Sequence, residues 1–174
     1  LVKLGRSRQA LVEFIDIEPI TTVSNHKVSY AYNITKNEYR HSKILENCIG
    51  FTLISVRFKG HASTLSAFFA KNNIRHSVFT SESDDYTKEL NNFAIGKTKI
   101  LIATGVIKEG INLPNIDTII NAAGGKSKIY IKQTIIGRST RAKDGHSTVR
   151  IVDFNDIAFP DHVKIRKEIY DETC

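Results

Sequence analysis

The sequence predicts an α/β fold in which a mainly parallel sheet lies between two layers of helices. Short, continuously apolar segments recur from Phe51 onward, and stretches with helical spacing alternate with them. Strands that are apolar along their whole length are typical of parallel sheets that are covered on both faces. Right-handed crossovers then place the loops that follow the strands at one edge of the sheet, where functional residues are expected.

The N-terminal part of the chain is predicted to be a basic strand followed by a connector. Residues 10–17 alternate between apolar and polar side chains, as a strand does. Pro19 and the polar residues after it indicate a connector to an upstream domain. This divides the chain into residues 1–35, which form the strand and connector, and a domain of residues 36–174.

The remaining elements follow from periodicity and end signals. Thr35 and Glu38 have the spacing of a capping box, which predicts a helix that begins there and ends at Cys48. Lys164, Arg166 and Lys167 are predicted to form the exposed face of the last helix. Strands are predicted at residues 51–58, 75–81, 99–105, 115–122 and 147–154, and further helices at residues 61–72, 84–95, 127–138 and 162–170.

Composition limits the possible functions. The 174 residues are 41% hydrophobic and 25% charged, as in one globular domain. A net charge of +7 favours a polyanionic partner, although many basic domains bind no nucleic acid. The two cysteines make no disulfide framework, and no apolar run is long enough to span a bilayer. We therefore expect a cytoplasmic protein without a membrane partner, and the lack of any methionine favours a fragment of a longer chain.

The loop after the strand at residues 99–105 has features of a phosphate-binding turn. Gly105 allows the backbone to turn sharply, and a helix starting there would direct its free N–H groups and the Thr104 hydroxyl at a ligand. Pro114 fixes the shape of the residues before it. An ordinary strand, turn and helix, in which Gly105 and Gly110 serve only the geometry of the backbone, is the better explanation when Gly105 is considered alone.

Two arginines, Arg138 and Arg141, follow a half-apolar helical run and Gly137. A guanidinium group is a permanently charged, planar fork that matches phosphate oxygens. Two such groups three residues apart, at the end of a buried helix, therefore predict a phosphate clamp.

A complete phosphate-binding loop is missing from the sequence. Gly96, Lys97 and Thr98 resemble the end of a phosphate loop, but Asn91 stands where that motif needs its first glycine and a strand follows. The sequence also has no DExH or DExD box, and its histidines lack metal-ligand spacing. We therefore expect no complete phosphate loop and no metal ligands in this chain.

Two motifs in succession resemble a known family. ATGVIKEGINLP at residues 103–114, followed by QTIIGRSTR at residues 133–141, is similar to motifs V and VI of superfamily 2 helicases, and TLISVRFKGH at residues 52–61 looks like motif IV. The resemblance covers residues 51–154 and is closest to the phage-encoded branch-migration helicases of the UvsW type. It implies a three-layer RecA-like fold of the phosphate-loop NTPase kind.

The resemblance also implies a role for each matching residue. Arg138 and Arg141 match arginine fingers that reach the γ-phosphate of ATP, and Gln133 matches the residue that links them to the nucleotide. Gly110 and Asn112 match positions beside the ribose and phosphates, where asparagine replaces the more common aspartate. Residues that match the nucleic-acid track are Arg57, Lys59, His61, Thr104, Gly105, Lys108, Lys126 and Ser127, although Ser127 is equally explained as a helix N-cap.

These matches predict the second motor domain of an ATP-dependent DNA helicase or translocase that acts in replication, recombination or repair. Its partners would be single-stranded or branched DNA and the N-terminal RecA-like domain of the same protein, which would hold most of the ATP and Mg²⁺. The chain alone is expected to be inactive, and its compartment would be the host cytoplasm if a phage encodes it. The alternatives are a non-catalytic nucleic-acid-binding module and an RNA helicase domain.

Overall fold

The computed structural model describes residues 9–80, 86–105, 113–114, 116–137 and 148–174. The strands in these ranges are β1 (Gln9–Ile17), β2 (Thr52–Val56), β3 (Ser77–Phe79), β4 (Ile100–Thr104), β5 (Thr118–Asn121) and β6 (Thr148–Asp156). They form one parallel sheet in the order β1-β6-β5-β2-β4-β3. The predicted parallel sheet is therefore confirmed.

Helices cover both faces of this sheet. They are α1 (His26–Tyr30), α2 (Glu38–Glu46), α3 (Lys59–Lys71), α4 (Tyr86–Ala94), α5 (Lys128–Tyr130) and α6 (Pro160–Thr173). Two of them continue as wider π-helical turns, α1 through Ala31–Thr35 and α5 through Ile131–Ile136. None of the helices in the described ranges combines the length and the apolar composition needed to cross a bilayer.

The sheet separates two hydrophobic cores, because neighbouring residues of a strand point to opposite faces. On one face, Leu53, Leu101 and Ile119 pack with residues of α4, α5 and α6. On the other face, Ile54 and Ile102 pack with residues of α2 and α3. This is the predicted three-layer α/β architecture.

The register brings the carboxyl ends of the central strands level with each other. Val56 at the end of β2 pairs with Thr104 at the end of β4. Ser55 on β2 pairs with Asn121 at the end of β5. The carboxyl ends of β2, β4 and β5 therefore lie side by side, and we call this side of the sheet the carboxyl edge.

β1 belongs to the same sheet, since all nine of its residues pair with β6. The connector after it is more ordered than the sequence indicated. Asn25 caps α1 by accepting a hydrogen bond from Val28 N at 3.2 Å, and the Asn33 side chain bonds to the backbone of Ile20 and Thr21. The residues of α1 have low helix propensity, so the sequence pattern did not predict this helix. The link to an upstream domain stays a prediction.

The predicted capping box at the start of α2 is wrong. Asn37, not Thr35, is the N-cap, and its side chain accepts a hydrogen bond from Arg40 N at 3.1 Å. Thr35 instead ends the π-helical turn before it. The carbonyl of Thr35 accepts a hydrogen bond from His41 Nε2 at 2.9 Å, so Thr35 contacts α2 through its backbone and not as its cap.

Candidate functional site

The carboxyl edge brings most of the predicted surface residues together. Arg57 and Lys59 follow β2, and Gly105 follows β4; all three are exposed, and Thr104 is half-exposed. Gly105 has a φ of +67°, a conformation that favours glycine, and the space around its Cα is open. A ligand could therefore approach the backbone closely at Gly105.

The loop between β5 and α5, residues 122–127, completes this edge. Lys126 and Ser127 are exposed. The Ser127 hydroxyl accepts a hydrogen bond from Tyr130 N at 3.3 Å and so caps α5. The capping role considered from the sequence is therefore present at this position.

His61 does not lie on the surface with these residues. It is in the first turn of α3, but its side chain is fully buried, with 0% exposure. Its ring stacks on His41 with 6.3 Å between ring centroids, and neither ring nitrogen has a hydrogen-bond partner among the described residues. Its position contradicts the expected contact with nucleic acid, because the helical turn directs the side chain at the α2 layer.

Gln133 lies on the π-helical continuation of α5. Its side chain is exposed, whereas Ile131 and Ile135 are fully buried and so fix which side of the helix Gln133 presents. A Cβ on Gly137 would approach the carbonyl oxygen of Lys132 to 3.1 Å, because a π-helical turn brings these two residues together. A larger residue would be crowded here, which explains why the QxxGRxxR motif of this chain has a glycine at this position.

The other predicted nucleotide residues lie outside the described residues. These are Gly110, Asn112, Arg138 and Arg141, together with Lys108 of the predicted nucleic-acid track. Their roles stay predictions.

A buried arginine from α2 supports the β5–α5 loop from one side of the sheet. Arg40 has 0% exposure, and its guanidinium binds both carboxylate oxygens of Asp156, with Nε–Oδ1 at 2.9 Å and Nη2–Oδ2 at 3.2 Å. Its Nη1 donates to the carbonyl of Ala122 at 2.7 Å. The guanidinium also lies over the Phe154 ring, 4.5 Å from its centroid.

A second buried arginine, Arg166, supports the same loop from α6. Its Nε lies 3.1 Å from each carboxylate oxygen of Asp153, and its Nη1 donates to the carbonyl of Gly125 at 2.7 Å. The Tyr170 hydroxyl donates to the same carboxylate at 2.8 Å. The predicted exposed position of Arg166 is therefore wrong, because it is 1% exposed.

The two other predicted positions, Lys164 and Lys167, are exposed. The sequence does indicate that Arg166 is buried while the two lysines are exposed. Arg166 lies three or four residues from Val163, Ile169 and Tyr170, which are all buried, so it is on the same face of the helix.

Hydroxyl groups add further anchors to the β5–α5 loop. Tyr30 donates to the Ala123 carbonyl at 2.7 Å, and Ala123 N donates to the Ser55 carbonyl at 2.9 Å. Ser55 and Tyr130 share a hydrogen bond between their hydroxyl groups. Burial raises the pKa of Tyr130 and keeps its hydroxyl protonated. The loop and the start of α5 are thus tied to the sheet at several points.

Comparison with known proteins identifies this arrangement. A family model described as the helicase conserved C-terminal domain matches residues 31–143. The chain belongs to this family. The match includes β2, β4, β5 and α5, and therefore the whole carboxyl edge described above.

Individual relatives agree with the family assignment. The chain is 28% identical over 140 residues to IRC3 of Saccharomyces cerevisiae, whose name describes an ATP-dependent helicase, with 79% of this chain and 20% of that protein covered. It is 23% identical over 181 residues to the ATP-dependent RNA helicase DBP8 of Meyerozyma guilliermondii, with 97% and 41% covered. The chain thus spans less than half the length of these relatives.

The solved structure of UvsW from phage T4 has the same fold. It superposes with a TM-score of 0.70 at 19% identity, over 95% of this chain and 40% of that chain. The predicted RecA-like C-terminal domain of a superfamily 2 helicase is confirmed.

The buried ion pairs lead to a stability prediction. We expect Arg40→Ala to lower the free energy of unfolding by about 3–5 kcal/mol, because it leaves the Asp156 carboxylate buried without its cation. Lys128→Ala removes the exposed pair with Glu172 and should cost about 1 kcal/mol or less. Urea denaturation of both variants measures the difference, and similar losses would show that the buried pair does not hold this edge.

Because His61 is buried, we expect the folded chain to lose stability at acidic pH. Burial lowers its pKa well below the usual value, and Arg40 and His41 lower it further. The unfolded chain binds this proton near pH 6.5, whereas the folded chain does not, so stability is full above that pH and falls below it.

Each such histidine contributes a slope of up to about 1.4 kcal/mol per pH unit. The pKa of His41 is also lowered, mainly by burial. His61→Leu should therefore reduce, but not abolish, the fall in unfolding free energy between pH 7 and pH 5, as measured by urea denaturation. A slope identical to that of the parent protein would contradict the assignment.

Proposed function

We propose that the chain is the second motor domain of an ATP-dependent DNA helicase or translocase. The observation that carries the proposal is the carboxyl edge, where exposed cations of two loops lie beside the open backbone at Gly105 and the helix that bears Gln133. Cations and backbone donors at such an edge can hold phosphates of a strand without reading its sequence. The match to the helicase C-terminal family supports this interpretation.

In this proposal the chain contacts ATP from one side, while another domain holds most of the nucleotide and Mg²⁺. Gln133 fits the role because its side chain is exposed on a helix that is fixed in place by the buried Ile131 and Ile135. Arg138 and Arg141 would follow it at the end of the same helix. ATP supplies a γ-phosphoryl group whose transfer builds negative charge, and the two guanidinium groups would stabilise that charge.

The buried anchors explain how the nucleotide side and the nucleic-acid side could move together. The β5–α5 loop carries Lys126, and it is tied to both helical layers by Arg40 and Arg166. A movement that brings α5 toward a nucleotide would therefore carry this loop and the neighbouring strand ends as one body. Opening and closing of the cleft would then shift the grip on a bound strand, because the two states hold it differently.

RNA is a second candidate substrate, favoured by a different observation. DBP8 is named as an RNA helicase, whereas the resemblance to UvsW-type proteins favours DNA. Contacts with phosphates alone do not distinguish RNA from DNA, because a protein recognises RNA at a given site by its 2′-hydroxyl group.

The finger assignment predicts the effect of one substitution in the full-length protein. Arg141→Ala should lower ATP turnover by about 10³-fold, since charge on the transferring phosphoryl group loses its partner. Binding of a labelled single strand should change little. Lys143→Ala, which removes a charge two residues away, is the matched control. Turnover that is unchanged in Arg141→Ala would refute the assignment, whereas a parent protein without any ATP turnover would favour the non-catalytic binding module.

The preference for DNA predicts the outcome of a competition experiment. A single-stranded DNA should stimulate ATP hydrolysis by the full-length protein more strongly than an RNA of the same sequence and length. Both strands are added at equal ionic strength, because phosphate contacts make affinity depend on salt. Stronger stimulation by the RNA would establish the second candidate.

A further inference from the structure

Five aromatic rings form a continuous row at the carboxyl edge. Tyr30 lies 5.9 Å from Phe58 and 6.4 Å from Phe159, measured between ring centroids. Phe159 stacks on His162 at 5.3 Å with an interplanar angle of 19°, and His26 lies within 5.5 Å of both. We call these five residues the aromatic row. The phosphate contacts proposed above make no use of it.

Part of the aromatic row is open to solvent. Phe58 is 51% exposed, and His26 is also exposed. A cavity of about 420 Å³ lies at the far end of the row, within the range of roughly 300–1,000 Å³ that is typical of small-ligand pockets. Its lining includes Thr22, Ser24, His26, Phe159, Asp161 and His162. Flat rings and a few polar groups therefore surround a space that could receive a flat, polar molecule.

Positive charge lies at both ends of the aromatic row. The Arg57 guanidinium lies over the Phe58 ring, 5.1 Å from its centroid. At the other end, burial lowers the pKa of His162, and His26, Lys126 and Arg166 lower it further, while Asp161 opposes them. The His162 ring is therefore neutral at pH 7, with the ammonium of Lys126 in electrostatic range.

The aromatic row is also connected to the loop that carries Lys126. The Tyr30 hydroxyl donates to the Ala123 carbonyl at 2.7 Å, and Ala123 precedes Lys126 by three residues in the same loop. A strand whose phosphates lie along Arg57 and Lys126 would therefore pass over rings that are held in place by the same loop. Cations that follow a backbone beside rings that accept bases are the combination found in surfaces that bind single strands.

We propose that the aromatic row is a base-stacking surface, and that the cavity beside His26 and His162 receives an unpaired nucleobase of the bound strand. The proposal rests on the function proposed above and adds to it a contact with bases. Every nucleobase has a π-face, so the contact would be tolerant of sequence. Asp161 on the cavity wall is suited to accept hydrogen bonds from exocyclic amino groups and ill suited to phosphate.

The test compares two strands of equal length in binding to the full-length protein without nucleotide. One is a fluorescein-labelled single-stranded DNA, and the other has the same backbone with abasic positions. The double variant His26→Ala with His162→Ala should bind the ordinary strand about tenfold more weakly than the parent protein does and the abasic strand equally well. Phe58→Leu keeps an apolar side chain without the ring and should show a smaller loss of the same kind.

His76→Ala is the matched control, because His76 precedes β3 at the opposite edge of the sheet, and it should bind both strands as the parent does. Equal losses for both strands in the double variant would overturn the proposal and assign the row to packing. A parent protein that binds both strands with equal affinity would overturn the stacking surface alone. A parent protein that binds neither strand would overturn the proposed function as well.

Discussion

The β5–α5 loop depends on two buried arginines that reach it from opposite faces of the sheet. Arg40 comes from α2 and Arg166 from α6, and each donates to a loop carbonyl while binding a carboxylate of β6. Burial of a charged group is costly unless it is paired and hydrogen-bonded. Here the pairing is satisfied only when both helices, β6 and the loop are in place, so the two helical layers are fixed to one edge of the sheet.

This constraint links the fold to the proposed motor. Catalytic and binding groups work best when the elements that carry them are rigid. α5 begins at Ser127, directly after the anchored loop, and the hydroxyl pair of Ser55 and Tyr130 ties its first turn to β2. In the proposed function, the nucleotide side and the nucleic-acid side would thus share one support. The same loop holds the aromatic row through Tyr30, which places the proposed base contact on that support as well.

Much of the fold could be predicted because the relevant signals are local. The apolar runs around Leu53, Leu101 and Ile119 specify buried strands, and their alternation with helices specifies parallel order. Arg40 could not be placed in this way, because arginine is usually exposed on a helix, whereas the helical spacing of Arg166 with Val163 and Ile169 does indicate its burial. His61 is similar to Arg40, since only the packing of α2 against α3 decides that its ring is inside. The π-helical turns leave no simple periodic signal, although Gly137 is a sequence feature of the one that follows α5.

The central claim is tested most directly by measuring ATP hydrolysis by this 174-residue chain. The chain is assayed alone and then mixed with the proposed domain of the same protein that would carry the phosphate loop. The motor interpretation predicts no turnover by the chain alone and nucleic-acid-stimulated turnover on mixing. Activity in the chain alone would contradict it, because the chain would then hold a complete nucleotide site. A mixture without activity would contradict it equally, provided that the added domain is folded and binds ATP.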